Sequence, residues 1–201
     1  MKKLACSLFI ALGLFAGTAT ADERPNFYFG VTGGVTNSDV TEKGFTYSST
    51  TKNERSTSGI KLFAGYSWGV FGIELGQYDL GKYNIEGIAN SQPSADEYGV
   101  KAFTLSGAAA FPLDRNWDFT TKLGIASGTV TYQCVKNCAG ISNQTTNSIG
   151  AIFGLGLRWK ISRNLAARLD WESIGGLTSK FGSYEEKVTT GLFSAGIEAR
   201  F

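Results

Sequence analysis

Catalysis needs groups that attack, transfer protons or hold ions, and the most versatile of them is missing: none of the 201 residues is histidine. Ser-His-Asp and Cys-His nucleophilic sites and histidine-ligated metals are therefore excluded. Of the three cysteines, Cys6 lies in the opening apolar stretch, while Cys134 and Cys138 stand four apart in a polar segment. Two thiols cannot complete a tetrahedral zinc site. In an exported chain they predict a disulfide that stiffens a surface loop, worth about 2 kcal/mol at most across so short a closure. The other candidates are the charges Glu74, Lys122, Arg158, Arg168, Asp170 and Glu172, all on one parity of alternating segments. Pairs such as Glu74 with Lys122 or Arg168 would plug or gate a narrow pore. Alternatively, they neutralise one another in a side-chain-filled interior and hold it closed. The second reading is favoured, because a ring of eight strands encloses only enough space for side chains. No cofactor site is expected.

These charges need a scaffold, and the opening residues say where it is built. Lys2 and Lys3 form a basic start, Leu4 to Ala16 an apolar run, and Ala19-Thr20-Ala21 a small-x-small cleavage site. The pattern is that of a secretory signal peptide over residues 1–21, cleaved after Ala21, with residues 22–201 as one domain. Removing it leaves 180 of the 201 residues and takes two of the 19 basic groups, so 17 remain against 17 acidic ones. A formally neutral, exported chain has no nucleic-acid footprint.

The remainder alternates with period two, not 3.6. Eight such runs follow one another: Phe27–Thr36, Ser58–Trp68, a third from Phe71, Gly99–Phe111, Asp118–Tyr132, a sixth from Ile149 to Trp159, a seventh from Leu165 to Glu172, and Phe193–Phe201. Between them, short connections (Gly69-Val70, Pro112–Trp117, Ile161–Asn164) alternate with long polar ones at Asn37–Thr57, Gly81–Tyr98, Gln133–Asn147 and Gly175–Glu186. Short turns at one end and long loops at the other are the sorting of an outer-membrane barrel. The expected fold is therefore all-β, an eight-stranded antiparallel transmembrane up-and-down barrel. Its apolar parity faces lipid, its Gly, Ser, Ala and charged parity faces the lumen, and aromatics such as Trp68, Phe111, Trp159 and Phe201 form the interfacial girdles. Closure leaves no unpaired edge in hydrocarbon. The Gly33-Gly34 and Gly175-Gly176 pairs precede no helix, so they suit bulges or close packing and not phosphate binding. The Ser/Thr-rich stretch Thr41–Ser58 is either a recognition loop for a host or surface ligand or a solvated loop beside lipopolysaccharide.

The terminal Ser194-Ala-Gly196-Ile-Glu-Ala199-Arg-Phe201 resembles the assembly signal of bacterial outer-membrane proteins, with Gly196, Ala199 and the final aromatic in register. Ala64-Gly65-Tyr66, Gly72-Ile-Glu74-Leu-Gly76, Phe111-Pro112-Leu and Lys122-Leu-Gly124 are similar to the small eight-stranded barrels of the OmpA transmembrane-domain, OmpX and NspA type. The resemblance implies a Gram-negative outer membrane, with its lipid, lipopolysaccharide and barrel-assembly machinery as partners. It also implies a non-enzymatic role in envelope integrity, adhesion or host contact, with a narrow pore for small solutes as the alternative. No peptidoglycan-binding domain is expected to follow, so wall anchoring is not carried over. Eight-stranded barrel enzymes of this kind use an active-site histidine, which this chain lacks.

Overall fold

In the computed structural model, residues 26–43, 49–53, 56–89, 92–136, 143–181 and 184–201 are described. Nine strands run in chain order: β1 (Asn26–Lys43), β2 (Ser49–Asn53), β3 (Ser56–Trp68), β4 (Phe71–Ala89), β5 (Gln92–Pro112), β6 (Trp117–Lys136), β7 (Gln144–Lys160), β8 (Leu165–Phe181) and β9 (Tyr184–Arg200). All pair antiparallel. The β1–β9 ladder, from Tyr28↔Arg200 to Lys43↔Glu185, and the β4–β5 ladder close β1 and β3–β9 into an eight-stranded barrel. Short β2 lies above β3 and pairs only with the far end of β4.

The barrel is inside out relative to a soluble protein. Leu123, Phe27 and Ile149 are 67, 65 and 78% exposed, whereas Lys61 and Glu198 are fully buried. That distribution is stable only if the outer surface meets lipid. Aromatic pairs mark the short-turn rim: Trp117 stacks on Trp159 at 5.9 Å, and Phe29 on Phe201 at 5.5 Å. The turns there are tight. Gly69 takes φ 59°, a left-handed conformation that a two-residue hairpin requires. The Ser162 hydroxyl accepts from the Asn164 and Leu165 amides.

The described parts of the four polar connections are strands, and here the expectation of long loops is corrected. β4, β5 and β6 hold 19, 21 and 20 residues, about twice the 9–11 that cross a bilayer. The β4–β5 ladder continues to Ala89↔Gln92 and the β8–β9 ladder to Phe181↔Tyr184. Outside the membrane the outer face meets water in place of lipid while Tyr98, Val130 and Tyr132 stay buried inside, so the outward apolar parity fades while the backbone ladder persists. The hairpins are extensions of the barrel wall.

Two of the bulges in the wall lie between Asp79 and Lys82 on β4 and between Ile174 and Leu177 on β8. Each contains a glycine of positive φ, Gly81 (81°) and Gly176 (80°), and each extra residue shifts the inward parity by one. β4 and β8 stand four places apart in the eight-strand ring, so the bulges face each other across the lumen.

Candidate functional site

The lumen is layered. Towards the long hairpins, Tyr78, Leu80, Val100, Ile152, Leu177 and Leu192 pack into an apolar cluster in which every member is buried. The paired bulges supply Leu80 and Leu177, both with no exposed surface. Leu177 lies over Gly128 and Gly150, where a Cβ would collide with it. The sequence predicts a mostly small and charged lumen. Instead its outer part is an apolar plug: Tyr78, Leu80, Val100, Ile152 and Leu192 keep the inward parity of their strands, and the β8 bulge adds Leu177.

Beneath the plug lies an ion-pair layer. Lys122 Nζ donates to Glu74 Oε1 at 2.6 Å and also pairs with Glu172. Lys61 Nζ reaches Glu172 Oε1 at 2.9 Å and Glu74 Oε1 at 3.1 Å. Arg168 spreads its guanidinium over three carboxylates: Nη1 to Glu74 at 2.9 Å and Glu198 at 3.1 Å, and Nη2 to Asp170 Oδ1 at 3.1 Å. The Phe63 ring lies 4.4 Å from the Lys61 ammonium and 4.5 Å from the Arg168 Cζ, giving both cations an aromatic face. The Tyr78 hydroxyl donates to Glu172 at 3.2 Å and ties the layer to the plug above. Each charge is buried yet matched, which is the condition for a low-dielectric ionic cluster to persist.

Nearest the short turns is a third group. Arg158 donates through Nε and Nη2 to Asp118 Oδ2 at 2.9 and 2.6 Å, and Lys160 takes Oδ1 at 2.9 Å. Arg200 Nε donates to Glu198 Oε1 at 2.7 Å and lies over the Tyr28 ring at 5.2 Å.

Of the six charges expected to act together, Glu74, Lys122, Arg168, Asp170 and Glu172 meet in the middle layer. Arg158 sits lower, on Asp118, with only a 3.6 Å contact to Glu198. Lys61, Glu198 and Asp118 complete the clusters and are absent from the expected set, although their parity in the sequence marks them as inward. At the C-terminus, Ala199 pairs with Phe29 and Leu165, and the Phe201 amide donates to the Phe27 carbonyl at 2.9 Å. Gly196 lies opposite Thr32, where a Cβ would stand 2.6 Å from the Thr32 Cα. Cys134 packs beside Tyr98, Val130 and Tyr132. Cys138, Ala19 and Ala21 lie outside the described residues.

The comparisons agree with this geometry. The family model described as the OmpA-like transmembrane domain matches residues 22–201. Outer membrane protein A of Klebsiella aerogenes is 25% identical over 205 residues, covering 100% of this chain and 56% of that protein. Outer membrane protein A of Escherichia fergusonii is 26% identical over 206 residues with the same coverage. The chain thus spans about half the length of the curated relatives it matches. Among solved structures, OprG from Pseudomonas aeruginosa superposes with a TM-score of 0.62 at 14% identity, over 92% of this chain and 99% of that one. Neisserial surface protein A gives 0.56 at 13% identity, over 87% and 97%. Identities this low speak for the fold alone.

Proposed function

The chain belongs to the OmpA-like transmembrane domain family and is an outer-membrane protein of a Gram-negative bacterium, and from that premise we propose that its barrel is a closed, non-enzymatic anchor. It holds four β-hairpins outside the membrane for adhesion or host-surface contact and contributes to envelope integrity. Residues 1–21 serve as the leader, and the C-terminal Gly196–Phe201 segment serves recognition by the barrel-assembly machinery. Lipid surrounds the barrel wall, and lipopolysaccharide flanks the emerging hairpins.

The observation that supports anchoring over transport is the double obstruction of the lumen: an apolar cluster lies over a buried layer of ion pairs. Eight strands leave room for side chains and little else. The hairpins, by contrast, extend the ladder well past the bilayer. Joining Asn84 to Glu97 through Asn-Gly, with equivalent trimming of the other three hairpins, tests the reading. The trimmed barrel should still run as the faster, SDS-resistant band before boiling, while adhesion of expressing cells to a host surface falls to the vector control. Adhesion that survives all four trims would remove the anchoring role.

The disulfide belongs to the same proposal, as a staple at the base of the third hairpin tip. Maleimide labelling of intact cells should miss Cys134 and Cys138 without reductant and modify both after it. Labelling of both before reduction would remove the staple.

A further inference from the structure

Two of the short turns repeat one design. Leu113-Asp114-Arg115-Asn116 joins β5 to β6, and Ile161-Ser162-Arg163-Asn164 joins β7 to β8. Each runs apolar, polar, arginine, asparagine, and each closes in the same way. The Leu113 and Asp114 amides donate to the Trp117 carbonyl at 2.9 and 3.2 Å, and the Ile161 and Ser162 amides donate to the Leu165 carbonyl at 3.0 Å. Each asparagine carbonyl then accepts from the next strand: Asn116 from the Lys160 amide at 2.8 Å, Asn164 from the Arg200 amide at 2.9 Å. We propose that this pair of turns holds the headgroup of an anionic phospholipid in the periplasmic leaflet, with Arg115 and Arg163 as its phosphate contacts.

Position carries the first part of the argument. The two turns bracket the neighbouring strands β6 and β7. Their centres therefore stand two strand spacings apart, about 10 Å, a gap that two arginine side chains can close on one headgroup. Between them Trp117 stacks on Trp159, with the indoles 41 and 44% exposed, and exposed indoles settle at headgroup depth. Leu113 and Ile161 open the turns with exposed apolar side chains, which holds the turns against the bilayer surface. Charge carries the second part. Arg115 and Arg163 are both exposed, and among the described residues neither guanidinium makes an ion pair or hydrogen bond. Arg158 and Lys160, by contrast, are tied to Asp118. Asp114 is the one carboxylate within the two turns, and it pairs with neither arginine. Two unpaired guanidiniums at headgroup depth suit a phosphodiester, whose oxygens match their forked donors. An anionic lipid is favoured over a zwitterionic one, which brings its own ammonium to the same place.

The full chain, carrying Trp68→Phe and Trp171→Phe so that Trp117 and Trp159 remain as reporters, is refolded into phosphatidylcholine nanodiscs. Spin-labelled phosphatidylglycerol or spin-labelled phosphatidylcholine, with the label near the headgroup, is added as quencher. Phosphatidylglycerol should quench the indoles at a lower mole fraction than phosphatidylcholine. Each arginine should account for about fivefold of that preference, so Arg115→Gln with Arg163→Gln should bring the two lipids level. Lys101→Gln, towards the far end of β5, should leave the preference unchanged. If the double arginine variant fails to show the faster band of a folded barrel, Asp114→Asn decides: it removes the one carboxylate of the turns and should strengthen the preference. Equal quenching by the two lipids, a preference kept without both arginines, a preference lost with Lys101, or no gain in folded Asp114→Asn would overturn the site.

Discussion

Glu74→Ala should destabilise the refolded barrel by about 3–5 kcal/mol, the range for removing one partner from a buried ionic cluster. Glu74 is 2% exposed and touches three cations, Lys122 at 2.6 Å, Arg168 at 2.9 Å and Lys61 at 3.1 Å. Its loss leaves Lys61 and Lys122 sharing Glu172, with Asp170 only a further 3.5 Å contact of Lys61. The proper control is another ion pair of the same chain. Lys82 and Glu97 meet at 2.8 Å outside the membrane, with the lysine side chain 64% exposed. Lys82→Ala should cost under about 1 kcal/mol, as exposed pairs do. Urea unfolding in lipid vesicles measures both. Equal effects would mean that the middle layer contributes no more than surface charge.

Leu123→Arg should be almost as damaging, at about 2–4 kcal/mol, because it puts a charge on the lipid face near mid-membrane. Leu123 is 67% exposed and sits opposite Phe153 and Gly107, between the turn-end aromatic rim and the outer hairpins. In a soluble barrel the same substitution would be an innocuous surface change. The neighbouring Lys122→Gln points inward and should disturb ion pairing without exposing charge to hydrocarbon. Refolding yield of Leu123→Arg, resolved as unboiled against boiled bands, therefore reads the direction of the wall. Wild-type yield and stability for Leu123→Arg would reverse the inward and outward assignment of β6.

Much of this barrel is legible in the amino-acid sequence, and the parts that are not have physical reasons. Strict alternation over Phe119–Ala126 and Ile149–Trp159 carries the strands and their faces, since hydrocarbon on one side and packed lumen on the other impose a strong period of two. Lys61 obeys the same rule, between the outward Ile60 and Leu62, and escapes notice as a cluster member because its run reads as mostly apolar. The hairpin extensions are hidden because Lys82–Ala89 and Pro93–Tyr98 have no lipid on their outer face and bury mixed polar residues such as Ser94 and Asp96 inside, leaving turn-like composition where a ladder exists. Two members of the apolar plug are hidden for another reason. Past Asp79 and Ile174 a bulge changes the parity, so counting by two assigns Tyr83 and Leu177 to the wrong side. The layer assignment of Arg158 depends on shear between strands, which spacing within one strand does not encode.

The most direct test of the closed-anchor account is single-channel recording of the wild-type protein, refolded and confirmed as the faster gel band, in a planar lipid bilayer. The apolar cluster around Leu80 and Leu177 above the Glu74–Lys122–Arg168 layer predicts a quiet membrane with no discrete current steps. Reproducible stepwise openings carried by the fully folded protein would contradict the account and make the lumen a pore.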